Sequence, residues 1–440
     1  MESQQKTDPS ADIRLSTRQI QAALALICVL PFLVQSVFFD GGFYYDDAFH
    51  LEQCELIDAG QISLSDYVFL AHGEHLIPVW KTMFYCCWST FGATSSAFHM
   101  FVTMFHAVAA LLLFAVIRNY VNDVSAVIGG LLWAGAAVGG WDGPFLWIAA
   151  SHLSVGVTFF LAAMLCLTKI HSEHSYHWAA AMFVSLLLCL FTMGSLIVLT
   201  PALLLQYWLF ERDKHSSATR KASWLGSFVL PCAVVSLLHL IWVLPAMQKL
   251  DRPPTDVFAG IQMLGGGYAA SAWNLISSDG NSVVWGRITG AIMIALLLLR
   301  AERPAQKLCL LLFVVSFCFS VLAYMARSGW EISHVLTWGR YRYLPTIFWC
   351  GVLSVVVDRG VHWLTVERRS LLPWVIATGL TLFILSQHRL ASEAATVFRQ
   401  ISDEARQAKM SEEKTQASTS PGEQKTRVCA MLSTARRGDS

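Results

Sequence analysis

The stretch "FHMFVTMFHAVAALLLFAVI", residues 98–117, contains twenty consecutive residues without Asp, Glu, Lys or Arg. Apart from two histidines and a threonine, every side chain in it is apolar. An α-helix rises about 1.5 Å per residue, so a helix of this length spans about 30 Å, the thickness of the hydrocarbon core of a bilayer. The stretch therefore predicts a transmembrane helix.

Similar apolar runs recur along most of the chain, which is 55% hydrophobic and only 14% charged. Soluble domains are about one quarter charged. Besides 98–117, the predicted spans are 20–38, 124–140, 145–168, 177–193, 195–210, 224–244, 284–299, 308–326, 342–357 and 371–388. The sequence thus predicts an all-α fold, a polytopic bundle of about eleven transmembrane helices within residues 20–390 and surrounded by membrane lipids.

The short run 76–92 carries Lys81, which favours a helix lying in the membrane interface over one that crosses the bilayer. With that assignment, 15 Lys and Arg residues fall in the loops on the N-terminal side of the membrane and 6 in the opposite loops. The positive-inside rule then places the N-terminal segment, residues 1–19, in the cytoplasm. The predicted outer loops are 39–97, with juxtamembrane helices, 245–283 and 327–342.

Composition excludes several classes of protein. The formal net charge of +1 gives no global field for nucleic acid binding, and the 11 cysteines show no spacing typical of zinc ligands. The first apolar run is longer than the core of a signal peptide and lacks a cleavage site, so we expect it to remain as an anchor. Residues 391–440 are polar and predict a disordered tail.

Two adjacent aspartates, Asp46 and Asp47, follow the first span in the sequence "YYDDAF" (44–49). A carboxylate held there could serve as general base for an incoming hydroxyl or help to bind a divalent cation. A helix N-cap is the alternative, because an aspartate ahead of "AFHLEQCELI" accepts backbone N–H bonds well. The local sequence favours the cap.

The motif "AHGEHLIPVWK" (71–81) supplies His72, Glu74 and His75 ahead of Pro78. Its order of histidines and glutamate is not that of the zinc protease motif H-E-x-x-H, which disfavours a metalloprotease. The three side chains either form a polar turn before an interfacial helix that has Pro78 in its first turn, or provide substrate hydrogen bonds and proton transfer. Both interpretations stay open on this motif alone.

The motif "WGRYRYLP" (338–345) places Arg340, Arg342 and Tyr343 where the chain re-enters the membrane, and Arg327 lies at the other end of the same loop. Arginine offers a planar fork of donors that fits phosphate oxygens. Basic residues in an outer loop oppose the positive-inside bias and so require an explanation, and a lipid-linked phosphate is one candidate ligand. Snorkelling to lipid headgroups is the alternative.

Three further features receive less weight. Asp142, in "GGWDGP", falls on the predicted outer side and either faces the same cavity or belongs to an ordinary turn. His152 lies within an apolar span, where a polar ring is costly in lipid, so we expect it to face the bundle interior as a binding or a packing residue. The stretch "MLGGGY" (263–268) lacks the pattern of a phosphate-binding P-loop and predicts a flexible outer loop.

These features converge on one side of the predicted membrane, with a carboxylate at one end and arginines at the other. That arrangement suits transfer of a group carried on a lipid phosphate, because the carboxylate can deprotonate the acceptor while the arginines stabilise the departing phosphate. A transporter or flippase of a lipid-linked saccharide and a non-catalytic membrane protein are the alternatives. Collection of the ionisable groups at the outer surface favours transfer.

At these residues the sequence resembles the membrane-embedded glycosyltransferases of the GT-C superfamily, especially the branch of protein O-mannosyltransferases and polyprenyl-phosphate-sugar transferases. The stretches that carry the resemblance are "YYDDAF" (44–49), "HGEHLIPVWK" (72–81), the runs 91–118 and 145–167, and "GRYRYLP" (339–345). The chain departs from these relatives at 192–201, "TMGSLIVLTP", where Met193 and Gly194 stand in place of a Lys-Glu pair.

The resemblance implies a polyprenyl-phosphate-linked sugar donor and a site on the outer face of a bacterial plasma membrane. It implies that Asp46 or Asp47 is the catalytic base and that Arg340 and Arg342 lie near the phosphate. We expect the acceptor to be a glycolipid, a polysaccharide or a protein, with the first two favoured because the tail holds no repeat domain.

Overall fold

The computed structural model describes residues 15–44, 46–72, 75–136, 147–173, 175–211, 218–243, 255–275, 283–331, 339–367, 378–396 and 400. Within these ranges the chain is helical, and its only paired extended residues are His72 and His75. The predicted all-α class is therefore confirmed.

In the described part of the chain the helices are α1 (Thr17–Gln35), α2 (Asp46–Asp58), α3 (Leu64–Phe69), α4 (Pro78–Phe91), α5 (Ser95–Tyr120), α6 (Asp123–Gly135), α7 (His152–Glu173), α8 (Tyr176–Thr192), α9 (Thr200–Gln206), α10 (Ala218–Leu238), α11 (Val257–Asn274), α12 (Val283–Arg300), α13 (Arg303–Met325), α14 (Gly339–Glu367) and α15 (378–396). Short 3-10 helices cover Ser36–Phe38, Ile148–Ser151 and Gly194–Leu199.

Several of these helices have the length and composition of membrane spans. Those long and apolar enough to cross a bilayer, among the described residues, are Thr17–Phe38, Ser95–Tyr120, Ile148–Ile170 and Arg303–Met325. Shorter apolar helices are Asp123–Gly135, Tyr176–Thr192, Gly194–Phe210, Leu225–Ile241 and Val283–Leu299. The helical membrane bundle is thus present, while the number of eleven crossings stays a prediction.

The core of the bundle forms around α5 and α7. Helix α7 packs against α5 and α8, and α5 also packs against α1 and α6. Leu113 of α5 and Phe160 of α7 are fully buried in one apolar cluster, which continues through α13 and α14. This close packing holds the ends of α7, α13 and α14 in fixed relative positions, and those ends carry the polar residues described below.

The predicted outer loop 39–97 contains α2, α3 and α4. Helix α4 begins with Pro78 in its first turn, as predicted, and its 14 residues reach only about 21 Å, which fits an interfacial position. Lys81 of α4 is fully buried, and its Nζ donates hydrogen bonds to the carbonyl oxygens of Tyr67 (3.0 Å) and Leu70 (2.7 Å), which fixes α4 to the end of α3. Burial lowers the pKa of Lys81 to about 8.

Residues 263–268 correct one prediction, because they lie within helix α11 and not in a flexible loop. A side chain at Gly267 would overlap the hydroxyl of Tyr324, and one at Gly286 of α12 would overlap the backbone oxygen of Ala269. The small residues therefore allow helices to approach closely, as they do in many membrane proteins. The middle of this predicted outer loop is a packed helix.

Candidate functional site

A cavity of about 770 Å³ lies where α2, the start of α7, α10, α13 and α14 come together. Six of the residues predicted from the sequence line it, namely Asp46, His72, His75, His152, Arg327 and Arg340. They come from separate parts of the chain, so the fold brings together groups that no single motif contains.

Asp46 presents a carboxylate to this cavity from the first turn of α2. Its side chain is 44% exposed, and its Oδ2 lies 3.4 Å from Nε2 of His72. The ring of His72 packs beside Phe49 and His50, with ring centroids 5.8 and 4.8 Å away. His72 thus orients a carboxylate that a molecule in the cavity can still reach.

Asp47 has the opposite environment, although it is the next residue. It is fully buried, its Oδ2 accepts a hydrogen bond from the backbone N–H of Tyr44 (2.8 Å), and its Oδ1 accepts one from that of Ala149 (2.6 Å). Burial raises the pKa of Asp47 to about 8, and these backbone bonds oppose the rise. Both donors lie outside α2, so these bonds are not those of the helix N-cap that the sequence suggested. Asp47 instead joins the chain before α2 to the segment before α7.

His50 packs behind His72, the residue that contacts Asp46. The ring is fully buried against Trp80, at a centroid distance of 4.8 Å, and its Nδ1 lies 3.0 Å from the hydroxyl of Tyr67. Burial, together with the nearby His72 and Lys81, lowers the pKa of His50 to about 2. His50 is therefore neutral at physiological pH and acts as a packing residue behind His72.

His75 and His152 form a second polar part of the cavity wall. Two backbone hydrogen bonds of 2.9 Å pair His72 with His75, and the rings of His75 and His152 lie 5.7 Å apart. Nδ1 of His152 is 2.5 Å from the carbonyl oxygen of Ala149, so this nitrogen carries the proton. Nε2 of the neutral His152 ring is consequently a hydrogen-bond acceptor.

Arg340, in the first turn of α14, is held at the cavity wall by aromatic rings. Its guanidinium carbon lies 4.5 Å from the ring centroid of Trp147 and 5.1 Å from that of Tyr341. Such cation–π contacts restrict the guanidinium plane. Arg327, just after α13, lines the same cavity, so the wall contains two arginines.

Arg342 and Tyr343, which were also predicted to bind the donor, are not among the described residues that line this cavity. Arg342 is 3% exposed, and the hydroxyl of Tyr343 lies 3.1 Å from Nδ1 of His106 inside the bundle. The reason is helical geometry. Because α14 begins at Gly339, Arg342 projects about 200° away from Arg340 around the helix axis.

The described residues do not fit a divalent cation site. Asp47 uses both of its oxygens for backbone N–H groups, so Asp46 is the one carboxylate that they contribute to the wall. No group of three His, Cys, Asp or Glu side chains suited to a metal ion occurs in the described ranges. The predicted acids Glu74 and Asp142 lie outside the described residues. Asp46 and Asp47 therefore do not form a joint cation site.

The remaining wall of the cavity was not predicted from the sequence. It comes from α10, α13 and the 3-10 helix that follows α8, and it includes the polar residues Ser195, Ser236 and His239 and the apolar residues Val235, Leu240, Phe319 and Leu322. A signal was present in "TMGS" (192–195), where glycine and serine interrupt an apolar run. Helix α8 ends there, at Thr192.

Comparison with known proteins gives a result at the level of structure only. No protein-family model matches the sequence, and no curated protein sequence matches it significantly. The chain resembles the crystal structure of ArnT from Cupriavidus metallidurans bound to undecaprenyl phosphate, with a TM-score of 0.52 and 15% identity over 87% of this chain and 78% of that chain.

Two other structures show weaker similarity. ArnT from Cupriavidus metallidurans in the apo state has a TM-score of 0.47 and 15% identity, over 87% of this chain and 76% of that chain. The apo oligosaccharyltransferase of Archaeoglobus fulgidus has a TM-score of 0.48 and 12% identity, over 86% of this chain and 56% of that chain. Identities this low say nothing about the reaction. The architecture expected from the sequence is therefore confirmed at the level of the fold, which the chain shares with ArnT.

Proposed function

We propose that the protein transfers a sugar from a polyprenyl-phosphate donor to an acceptor hydroxyl. The main support is the composition of one cavity wall, where the carboxylate of Asp46, the arginines Arg327 and Arg340, and an apolar surface surround a single space. A lipid-linked phosphate sugar needs a cationic surface for phosphate and an apolar one for the lipid chain. The structural similarity to ArnT, which binds undecaprenyl phosphate in its crystal structure, supports the same class of donor.

In the proposed reaction, Asp46 accepts the proton of the acceptor hydroxyl as that oxygen forms a bond to the anomeric carbon of the sugar. The bond between the anomeric carbon and the phosphate oxygen breaks, and its electron pair leaves with the phosphate. Arg327 and Arg340 stabilise the charge that develops there. The exposure of Asp46 suits a base that must meet an incoming acceptor, whereas the backbone bonds of Asp47 occupy both of its oxygens.

The distribution of Lys and Arg supports a cytoplasmic N-terminus and a cavity on the outer face of the membrane. In a bacterial plasma membrane, the carrier would be undecaprenyl phosphate or a related polyprenyl phosphate. The acceptor on that face is a glycolipid, a polysaccharide or a protein.

Asp46→Asn tests this function. We expect the variant to lower kcat for transfer from undecaprenyl-phosphate-linked sugars by about 100-fold or more, since a general base contributes that much, while binding of undecaprenyl phosphate is retained. Glu55→Gln, an exposed position on the same helix α2, is the matched control and is expected to transfer normally.

Full transfer by Asp46→Asn would exclude Asp46 as the base. Wild-type protein that binds the carrier lipid and transfers none of a panel of hexoses and pentoses would instead support the transporter or non-catalytic alternative.

A further inference from the structure

The cavity wall that the sequence motifs did not predict includes an interruption between two helices. Helix α8 ends at Thr192, and the chain continues as a 3-10 helix from Gly194 to Leu199 before α9. Met193, Gly194 and Ser195 all line the cavity. Irregular backbone at membrane depth is tolerated where it lines a cavity, and such interruptions often lie at binding sites.

His239 lies against this interruption. It starts a π-helical turn, His239–Val243, and π-turns inside helices are frequent at functional sites. A Cβ at Gly194 would overlap Cε1 and Nε2 of the His239 ring, so the ring occupies its position because residue 194 is glycine. The two residues, more than forty positions apart in the sequence, therefore form one structural unit.

The hydrogen bonds of His239 define what its free nitrogen can do. Nδ1 lies 3.1 Å from the carbonyl oxygen of Val235, so Nδ1 donates a hydrogen bond to it, and in that tautomer Nε2 is an acceptor. Nε2 is buried and has no hydrogen-bond partner among the described residues. Buried polar atoms in folded proteins nearly always have a partner, so an exception at a cavity wall points to a ligand.

Ser195 provides a second observation of the same kind. Its Oγ is buried without a hydrogen-bond partner in the described part of the chain, and it directly follows Gly194. The wall thus combines a nitrogen that accepts and a hydroxyl that both donates and accepts. This pair complements the hydroxyl groups of a sugar. Phosphate oxygens only accept, so they match the arginines Arg327 and Arg340 better.

We infer that His239 and Ser195 bind hydroxyl groups of the sugar carried by the polyprenyl-phosphate donor, and that Gly194 provides the space for the His239 ring. This role rests on the proposed function and adds to it the part of the cavity that distinguishes a sugar-loaded carrier from the bare carrier.

The test compares two ligands on the same detergent-purified protein: undecaprenyl phosphate, and a panel of undecaprenyl-phosphate-linked hexoses and pentoses. Wild-type protein is expected to bind at least one loaded lipid more tightly than the bare carrier. His239→Ala is expected to remove about tenfold of that affinity and to leave binding of undecaprenyl phosphate unchanged. His239→Gln, which retains an acceptor, is expected to recover part of the lost affinity. His177→Ala, which changes an exposed histidine distant in sequence, is the control and is expected to bind the loaded lipid as wild type does.

A double-variant comparison separates this role from a general loss of folding. Gly194→Ala should reduce affinity for the loaded lipid as His239→Ala does, because the new Cβ displaces the ring. The double variant should be no weaker than His239→Ala alone, since both changes act through one ring. Additive losses would show that Gly194 does not act through His239 and would overturn the inference.

Other outcomes also decide the question. If His239→Ala weakens the bare and the loaded carrier equally, the wall binds phosphate and the inference is wrong. If wild-type protein binds both lipids with equal affinity, no sugar recognition exists. If wild-type protein binds neither lipid, the proposed function fails and this inference fails with it. Normal sugar recognition in His239→Ala would leave the proposed function intact and overturn only the role of His239.

Discussion

Replacing Asp47 by alanine removes the acceptor of two buried backbone N–H groups, those of Tyr44 and Ala149. Each buried donor left without an acceptor costs about 1–3 kcal/mol, so Asp47→Ala is expected to lose about 2–6 kcal/mol of stability. Unfolding entropy is about 2.1 cal/mol/K per residue, and the chain has 440 residues. The loss therefore corresponds to a decrease in Tm of about 2–6 °C.

The size of this decrease depends on pH, because burial raises the pKa of Asp47 from 3.8 to about 8. With a raised pKa, the native protein binds the Asp47 proton more tightly than the unfolded chain does. The resulting stabilisation is complete below about pH 4 and is lost as the pH rises through 8. Between pH 6 and pH 8 the lost part amounts to about 2 kcal/mol, so the Tm difference between wild type and Asp47→Ala should shrink by about 2 °C.

The assay is thermal unfolding of detergent-purified protein at pH 6 and pH 8, followed by tryptophan fluorescence. Asp46→Asn is the matched control, because the contact of Asp46 with His72 at 3.4 Å is a partly exposed pair worth at most about 1 kcal/mol. Its Tm should stay within about 1 °C of wild type. A wild-type Tm for Asp47→Ala would refute the role of Asp47 as acceptor of these two N–H groups. A Tm difference that grows from pH 6 to pH 8 would refute its raised pKa.

Three further predictions concern the arginine wall and the helix contacts. Arg340→Lys keeps the charge but loses the planar guanidinium, so we expect affinity for undecaprenyl phosphate to fall about tenfold in a binding titration; unchanged affinity would contradict phosphate binding by Arg340. Gly286→Ala drives a Cβ into the backbone oxygen of Ala269 and should cost about 1–3 kcal/mol, measured as a lower Tm. Gly265→Ala, whose Cβ meets no atom within 4 Å, is the control, and equal Tm values for the two would argue against the close helix contact. Lys81→Met removes the donor to the carbonyl oxygens of Tyr67, which is buried, and Leu70, which is exposed, so it should cost about 1–3 kcal/mol, measured as a lower Tm. Lost transfer at an unchanged Tm would instead assign Lys81 to the site.

The long helices could be predicted from the sequence because their signal is local. In α5, the length of the apolar run and the absence of charge suffice to predict a span, whatever its neighbours are. The helix that starts at Pro78 was predictable for the same reason, since proline favours the first turn. The predicted topology puts Asp46, His72 and Arg340 on one side of the membrane, and the structure brings these three residues to one cavity.

Features that depend on contacts distant in sequence could not be predicted. Glycine is a poor helix former, so residues 263–268 resembled a loop, yet the packing of α11 against Tyr324 requires a glycine at position 267. Likewise, the motif "GRYRYLP" alone suggests that its arginines bind one ligand together, because the start of α14 cannot be derived from the motif. Once that start is known, helical geometry separates Arg340 from Arg342.

The pairing of Gly194 with His239 illustrates the same limit at the site. Each residue alone has an ordinary explanation, a turn glycine or a packing histidine within an apolar run. Their joint role becomes visible only when the ring of one is found in the space that a side chain on the other would occupy. A single sequence gives no information on which distant positions contact each other.

The adjacent carboxylates that begin α2 differ in role because of helical geometry. Neighbouring residues on a helix project about 100° apart, so when Asp47 faces the interior, Asp46 is turned toward the cavity. The N–H of Ala149 donates a hydrogen bond to Asp47, and its carbonyl oxygen accepts one from Nδ1–H of His152, so one residue fixes α2 relative to α7. Loss of Asp47 is therefore also expected to shift Asp46 relative to the cavity wall formed by the start of α7, and a displacement of about 1 Å can lower a rate about 100-fold. Both aspartate variants are thus expected to lose transfer, and it is the unfolding measurement that distinguishes Asp46, the base, from Asp47, the buried acceptor of backbone N–H groups.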